Sequence, residues 1–118
     1  MVNEFSYLDK QTVTIASGSS LSGAIALSRY GVARIYVPSG WTAANLTFQV
    51  SEDGGSYANL YDSGGNEVTV TAAASQAITL DPTVFGLGFQ YLKIRSGTSA
   101  SAVTQGSDRI LTLAVRPL

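Results

Sequence analysis

Leu46-Thr47-Phe48-Gln49-Val50-Ser51, followed by Glu52-Asp53-Gly54-Gly55, sets the pattern of the whole chain. The first six residues alternate between apolar and polar, so an extended backbone puts Leu46, Phe48 and Val50 on one face and leaves the other to Thr47, Gln49 and Ser51. The four that follow supply the acidic and glycine residues of a tight turn. Tyr57 to Tyr61 then resumes an extended run, and Asn45 to Tyr61 reads as a β-hairpin.

The same period of two recurs on both sides. Upstream, Thr12-Val13-Thr14-Ile15 alternates, and Ala33-Arg34-Ile35-Tyr36-Val37 is expected to turn Ala33, Ile35 and Val37 inward and Arg34 and Tyr36 outward. Pro38 ends that run because it has no N–H for a ladder. Downstream, Asp62-Ser63-Gly64-Gly65-Asn66 is a second turn, Glu67 to Thr71 alternates again, and Gln76 to Leu80 is a short strand. Asp81-Pro82-Thr83 has the form of an N-cap with proline at the first helical position, opening at most one turn that Gly86 ends. Phe89 to Ser96 should point Leu92 and Ile94 inward and Tyr91, Lys93 and Arg95 outward. Arg109 to Arg116 should bury Leu111, Leu113 and Val115. Leu21 to Leu27 suits either an edge strand or a helical turn. Ser17 to Ser22 and Ser96 to Ala102 are connections rich in small residues.

Seven to nine short strands between turn clusters predict an all-β, single antiparallel β-sandwich, jelly-roll-like, over residues 1–118. A closed small barrel is the alternative. Phe48, Val50, Leu92, Ile94, Leu111 and Leu113 form the expected core. Residues 1–10 lack sustained alternation but include Phe5, Tyr7 and Leu8, and read as a candidate N-terminal arm or a frayed end.

Composition removes many functions. The 118 residues contain no cysteine and no histidine, which excludes thiolate nucleophiles, imidazole bases and Cys/His zinc sites. Seven basic against eight acidic residues give a formal charge of −1, without the basic excess that nucleic acid binding requires. No window reaches the length of a membrane span, and Glu4 and Asp9 stand where a signal peptide would carry cations. The expectation is a soluble protein made in the cytoplasm. Only 13% of residues are charged while 45% are apolar. A surface that poor in charge fits either contact with other protein or a β protein merely rich in small residues.

The candidate chemistry is equally bare. Glu52, Asp53, Asp62 and Glu67 could offer hard oxygens to calcium, but consecutive hairpin turns lie at opposite ends, which divides the set. The same division defeats a paired-carboxylate glycosidase. Gly54-Gly55 and Gly64-Gly65 neither open a helix nor precede a lysine, and so are turn glycines. No catalytic residue, metal ligand or cofactor site is assigned, and the chain is not expected to be an enzyme. Arg34, Tyr36, Tyr91, Lys93 and Arg95, together with Phe5 and Tyr7 of the arm, are the candidate protein-interface residues, since arginine and tyrosine are enriched at interface hot spots. Trp41, Tyr57 and Tyr61 lie near turns, where Trp41 is best explained as an end cap of the sandwich.

Trp41 to Gly55, with Leu60-Tyr61-Asp62, Tyr91 to Thr98 and Arg109 to Pro117, resembles the capsid decoration, or cement, proteins of tailed bacteriophages and prophages, small structural proteins with a jelly-roll sandwich. The likeness runs from about Val32 onward and is carried by strand and turn patterns. It implies a place on the surface of the phage head, the major capsid protein as partner, and a homo-oligomer, trimer or dimer. A strand ending in Ser-Glu-Asp-Gly-Gly before a tyrosine is also similar to discoidin-like carbohydrate-binding sandwiches, which keeps open an adhesion module of a phage tail or spike.

Overall fold

The computed structural model describes residues 8–118. Its strands are β1 (Asp9–Ile15), β2 (Ile25–Ala26), β3 (Tyr30–Tyr36), β4 (Leu46–Ser51), β5 (Ala58–Asn59), β6 (Ala77–Thr79), β7 (Tyr91–Ser96) and β8 (Arg109–Pro117), with one helical turn, α1 (Pro82–Phe85), between β6 and β7. They form two four-stranded sheets in the orders β1-β8-β3-β6 and β2-β7-β4-β5, and every pairing is antiparallel. Successive strands lie in opposite sheets throughout, except β4 and β5, which share a hairpin. That order of crossings is the double Greek key of an eight-stranded jelly roll.

Period-two alternation decides which face of each sheet is dry. Leu111, Leu113 and Val115 of β8 and Val13 and Ile15 of β1 meet Leu46, Phe48, Leu92 and Ile94 of the second sheet in one core. Val50 is only partly buried and packs at its margin. Trp41 closes one end, buried, its Nε1–H donating to the Ala44 carbonyl at 3.0 Å. Phe48 sits at the centre with no exposed surface, and the Phe85 ring of α1 meets it edge to face at 5.0 Å. Asp81 caps that turn, its Oδ1 accepting from the Thr83 N–H at 2.9 Å and from the Thr83 hydroxyl at 2.8 Å. These bonds hold its carboxyl below the usual range. Gly31 admits the turn against β3, for a Cβ there would stand 3.0 Å from the Phe85 carbonyl oxygen.

Besides Val50, expected in the core, the backbone departs from the sequence expectations in three places. Between Val32 and Arg34 the β3–β8 register slips by one residue. The bulge lets Val32 and Ile35 both enter the core, which strict alternation forbids, and it leaves Ala33 only half-buried. Glu67 to Thr71 is not a regular strand: it touches its neighbours at single bridges, Tyr61 to Glu67 and Leu46 to Val70, because the chain is leaving the second sheet to reach β6 in the first. Asp9 and Lys10 belong to β1, so any arm ends before them. Phe5 and Tyr7 lie outside the described residues. Leu21 to Leu27 resolves as edge structure, with a Leu21 bridge to Arg95 and Ile25 paired with Leu92.

Replacing Phe48 with alanine should remove about 3 to 5 kcal/mol of stability, the usual cost of a large core truncation. Urea unfolding followed by tryptophan fluorescence, with Trp41 as the single reporter, measures it.

Candidate interaction surfaces

The outer face of the second sheet is built from Thr47, Gln49 and Ser51 of β4, Tyr91, Lys93 and Arg95 of β7, and Asn59 of β5, brought side by side by the pairs Thr47 to Arg95, Gln49 to Lys93 and Gln49 to Asn59. Sequence alternation places Arg95 outward, and outward it is, but it is not open. Its residue is only 7% exposed. Its guanidinium donates to Asn59 Oδ1 at 2.6 Å, Thr47 Oγ1 at 3.3 Å and Glu67 Oε2 at 3.4 Å. Glu67 in turn accepts from the Ser99 N–H, and the Thr47 hydroxyl donates to the Gly97 carbonyl at 2.7 Å. The segment that failed to become a strand therefore carries the counter-charge that seals Arg95 under the 97–102 loop. A buried cation needs such partners to offset its lost hydration. Arg95 is thus corrected from candidate contact residue to internal tie.

The two tyrosines of this face are also engaged within the chain. The Lys93 ammonium stands 4.2 Å from the Tyr57 ring centroid, a cation–π arrangement that covers one ring face. Tyr91 lies over Gly54, where a Cβ would approach the ring to 3.3 Å. Gly54 has φ of 78°, so the turn needs a residue free to adopt that angle as well as one without a side chain.

The turn itself is held by Asp53. Its Oδ1 accepts from the N–H groups of Ser56 at 3.0 Å and Gly55 at 2.8 Å and from the Ser51 hydroxyl at 2.9 Å. Those bonds, with the Ser56 and Gly55 amides foremost, bring its carboxyl from 3.8 down to about 2. Asp62 does the same work in the next turn, accepting from Gly64 and Asn66 at 2.9 and 3.0 Å. The four acids considered for calcium include three already committed: Asp53 and Asp62 to their own turns, and Glu67 to Arg95. Among the described residues no three Asp or Glu side chains converge.

At one end of the sandwich, a connection that reads in the sequence as featureless contains Gln105, 1% exposed. Its amide donates to the Thr42 carbonyl at 3.0 Å and Ser96 Oγ at 2.7 Å, and its Oε1 accepts from the Thr42 N–H at 2.8 Å and Arg109 Nε at 3.1 Å. The two serine-rich connections are laced together beside it, by Gly18 N–H to Gln105, Gln105 N–H to Ser19 and Ser96 N–H to Ser20. Nothing in a single glutamine between small residues announces such a role.

The outer face of the first sheet is different. Arg34 and Tyr36 point outward, as their alternation predicts, and are joined by Lys10, Thr12 and Thr14 of β1 and Ile110, Thr112, Ala114 and Arg116 of β8. Tyr36 is 43% and Ile110 55% exposed. No loop among the described residues folds over this face as 97–102 folds over Arg95.

Two outcomes are expected. Arg95→Ala should cost about 3 to 5 kcal/mol, since it strands Glu67, while the paired replacement Arg95→Leu with Glu67→Leu should recover most of that loss; a double-mutant cycle in urea reads the coupling. Because the folded-state carboxyl of Asp53 is depressed, its contribution is fully present above its unfolded value and is lost as pH falls from about 4 towards 2. Asp53→Asn should therefore flatten the acid limb of stability between pH 5 and about 2, measured by thermal melts.

No protein-family model matches the chain, and neither a curated protein nor a solved structure is significantly similar to it.

Proposed function

We propose that this chain is a structural virion protein that decorates the outside of a tailed-phage head, binding major capsid subunits and adding non-covalent contacts between neighbours against the pressure of packaged DNA. The observation that carries the reading is the outer face of the β1-β8-β3-β6 sheet, which no loop among the described residues covers, a surface of threonine and alanine with exposed Tyr36 and Ile110 and the cations Lys10, Arg34 and Arg116. Broad surfaces of this kind, with exposed aromatic, aliphatic and arginine side chains, suit protein contact more than capture of a small molecule. The jelly-roll topology agrees with the family that the sequence resembles, and that resemblance supplies the partner.

The carbohydrate-binding alternative needs aromatic rings free to stack on sugar. On the second sheet, Lys93 covers one face of the Tyr57 ring and Tyr91 leans on Gly54, which leaves Tyr61, 51% exposed, as the ring free to stack there. The homo-oligomer follows from the same resemblance. β1 is the longest strand at a sheet margin, seven residues paired on one side to β8, and such a margin is a ready place for copies to meet about a symmetry axis.

Purified protein mixed with phage heads assembled without it should co-sediment saturably and raise their resistance to heat. Removing residues 1–7 should weaken attachment while the far-ultraviolet spectrum stays that of a β protein. Failure to bind the heads, with measurable affinity on a glycan array, would replace this account with the adhesion reading.

A further inference from the structure

The outward positions of the first sheet differ in charge from the rest of the chain. Lys10 and Arg34 are both register partners of Ala114, one on each side of β8, so their Cα atoms stand two strand spacings apart, about 10 Å. Arg116 follows two residues along β8 on the same face. Ala114 between them is too short to fill the gap, which leaves a shallow trough bordered by Leu8, Asp9, Lys10, Tyr36 and Thr112, while Arg34 and Arg116 line a second depression with Thr79 and Pro82. Every other outward position of these strands is uncharged: Thr12, Thr14, Ile110, Thr112, Tyr36, Ala77 and Thr79. Asp9, beside Lys10, is in the opposite phase of β1, across from Val115, but it is exposed at the strand's start and lines the trough next to Lys10, so the net positive charge of the face lies towards Arg34 and Arg116. Arg34 gives one bond, Nε to Thr79 Oγ1 at 3.3 Å, which steadies its stem and leaves the ends of the guanidinium to receive. Among the described residues the one ion pair is Arg95 with Glu67, on the other sheet.

We infer that this face docks acidic protein: carboxylate side chains of the shell subunit pair with Lys10 on one side of Ala114 and with Arg34 and Arg116 on the other, while Tyr36 and Ile110 make the apolar contact beside them. The inference rests on the reading of the chain as a decoration protein and names the face and chemistry of its attachment. Charge complementarity selects the occupant. Three cations spread next to exposed Tyr36 and Ile110 are too few and too apolar in company to track a phosphate backbone. A second copy is also a poor occupant, because the exposed acids other than Asp9 among the described residues, namely Glu52, Asp53, Asp62, Asp81 and Asp108, stand in turns and connections outside the strands of this sheet. Pairing them with this face would be head to tail, generating open chains and not a closed oligomer.

The chain offers its own reporter. Its two lysines lie on opposite outer faces, Lys10 on the first sheet and Lys93 on the second. Carbodiimide coupling joins an ammonium to a carboxylate only where the two touch. Applied to the protein bound to heads assembled without it, followed by peptide mass spectrometry, it should link Lys10 and not Lys93 to aspartate or glutamate of the shell. The triple variant Lys10→Glu, Arg34→Glu, Arg116→Glu should bind about tenfold or more weakly, and the neutral Lys10→Gln, Arg34→Gln, Arg116→Gln set should fall between, with melting temperatures near that of the parent. Rising sodium chloride should weaken the parent and spare the neutral set. Coupling through Lys93 instead, or variants that bind as the parent does, overturns the assignment of this face while leaving decoration standing. A parent protein that does not sediment with the heads overturns decoration and this inference with it.

Discussion

Everything in this molecule depends on two strands that must be dry on one side at every second residue. β7 and β8 lie inside their sheets, each with a strand on both edges, and Leu92, Ile94, Leu111, Leu113 and Val115 have no exposed surface. At roughly 25 cal/mol per Å² of apolar area removed from water, burial of these side chains is the main driving force for stacking the sheets. A one-residue slip of either strand would expose its whole apolar set at once, so the register has no near competitor. β1, β3 and β4 pair along these two strands, β2 adds two residues at the β7 margin, and β5 and β6, of two and three residues, extend the sheets from β4 and β3.

A second constraint follows from what that register does to β7. With Leu92 and Ile94 turned in, Arg95 must turn out, and it does so beside Thr47 near the end of the sheet where the chain crosses from one layer to the other. Two connections pass over it there. Once they do, the guanidinium loses water and has to be satisfied from within, which is why Asn59, Thr47 and Glu67 converge on it. The cost of one buried charge is offset by fixing three segments that have little regular pairing of their own. The surroundings are satisfied throughout: among the described residues no buried side-chain nitrogen or oxygen lacks a partner.

How much of this could be read from the sequence divides along the same physical line. Alternation is local, so the strand faces around Phe48, Ile94 and Leu113 were legible, as were the Asp81-Pro82 helix start and the Asp53-Gly54 turn, whose causes lie within four residues. The bulge at Ala33 was not, because it exists only in the pairing of β3 with β8, some eighty positions away in sequence. Nor was the burial of Arg95, which depends on Glu67 and on the 97–102 loop arriving over it. Gln105 is the same case: an amide between small residues becomes informative only when Thr42, Ser96 and Arg109 are known to surround it.

The two outer faces then part ways for a reason the topology supplies. The second sheet receives the crossing segment and folds its own hairpin turn back over its polar face, which is engaged by both: Arg95 with Glu67 of the crossing segment, Lys93 with Tyr57 and Tyr91 with Gly54 of the β4–β5 hairpin. The first sheet receives no such cover from the described residues, and the internal side-chain bond on its outer face is the one from Arg34 to Thr79. A cation there gains little stability for the monomer, being hydrated already and screened by salt. Lys10, Arg34 and Arg116 on one face, with no outward carboxylate among them, are therefore poorly explained by the folding of the chain alone. Like charges held about 10 Å apart on a flat sheet repel, mildly, in the free protein. An acidic partner turns that repulsion into attraction, so the arrangement favours the bound state over the free one, which is what distinguishes a docking face from a merely solvated one.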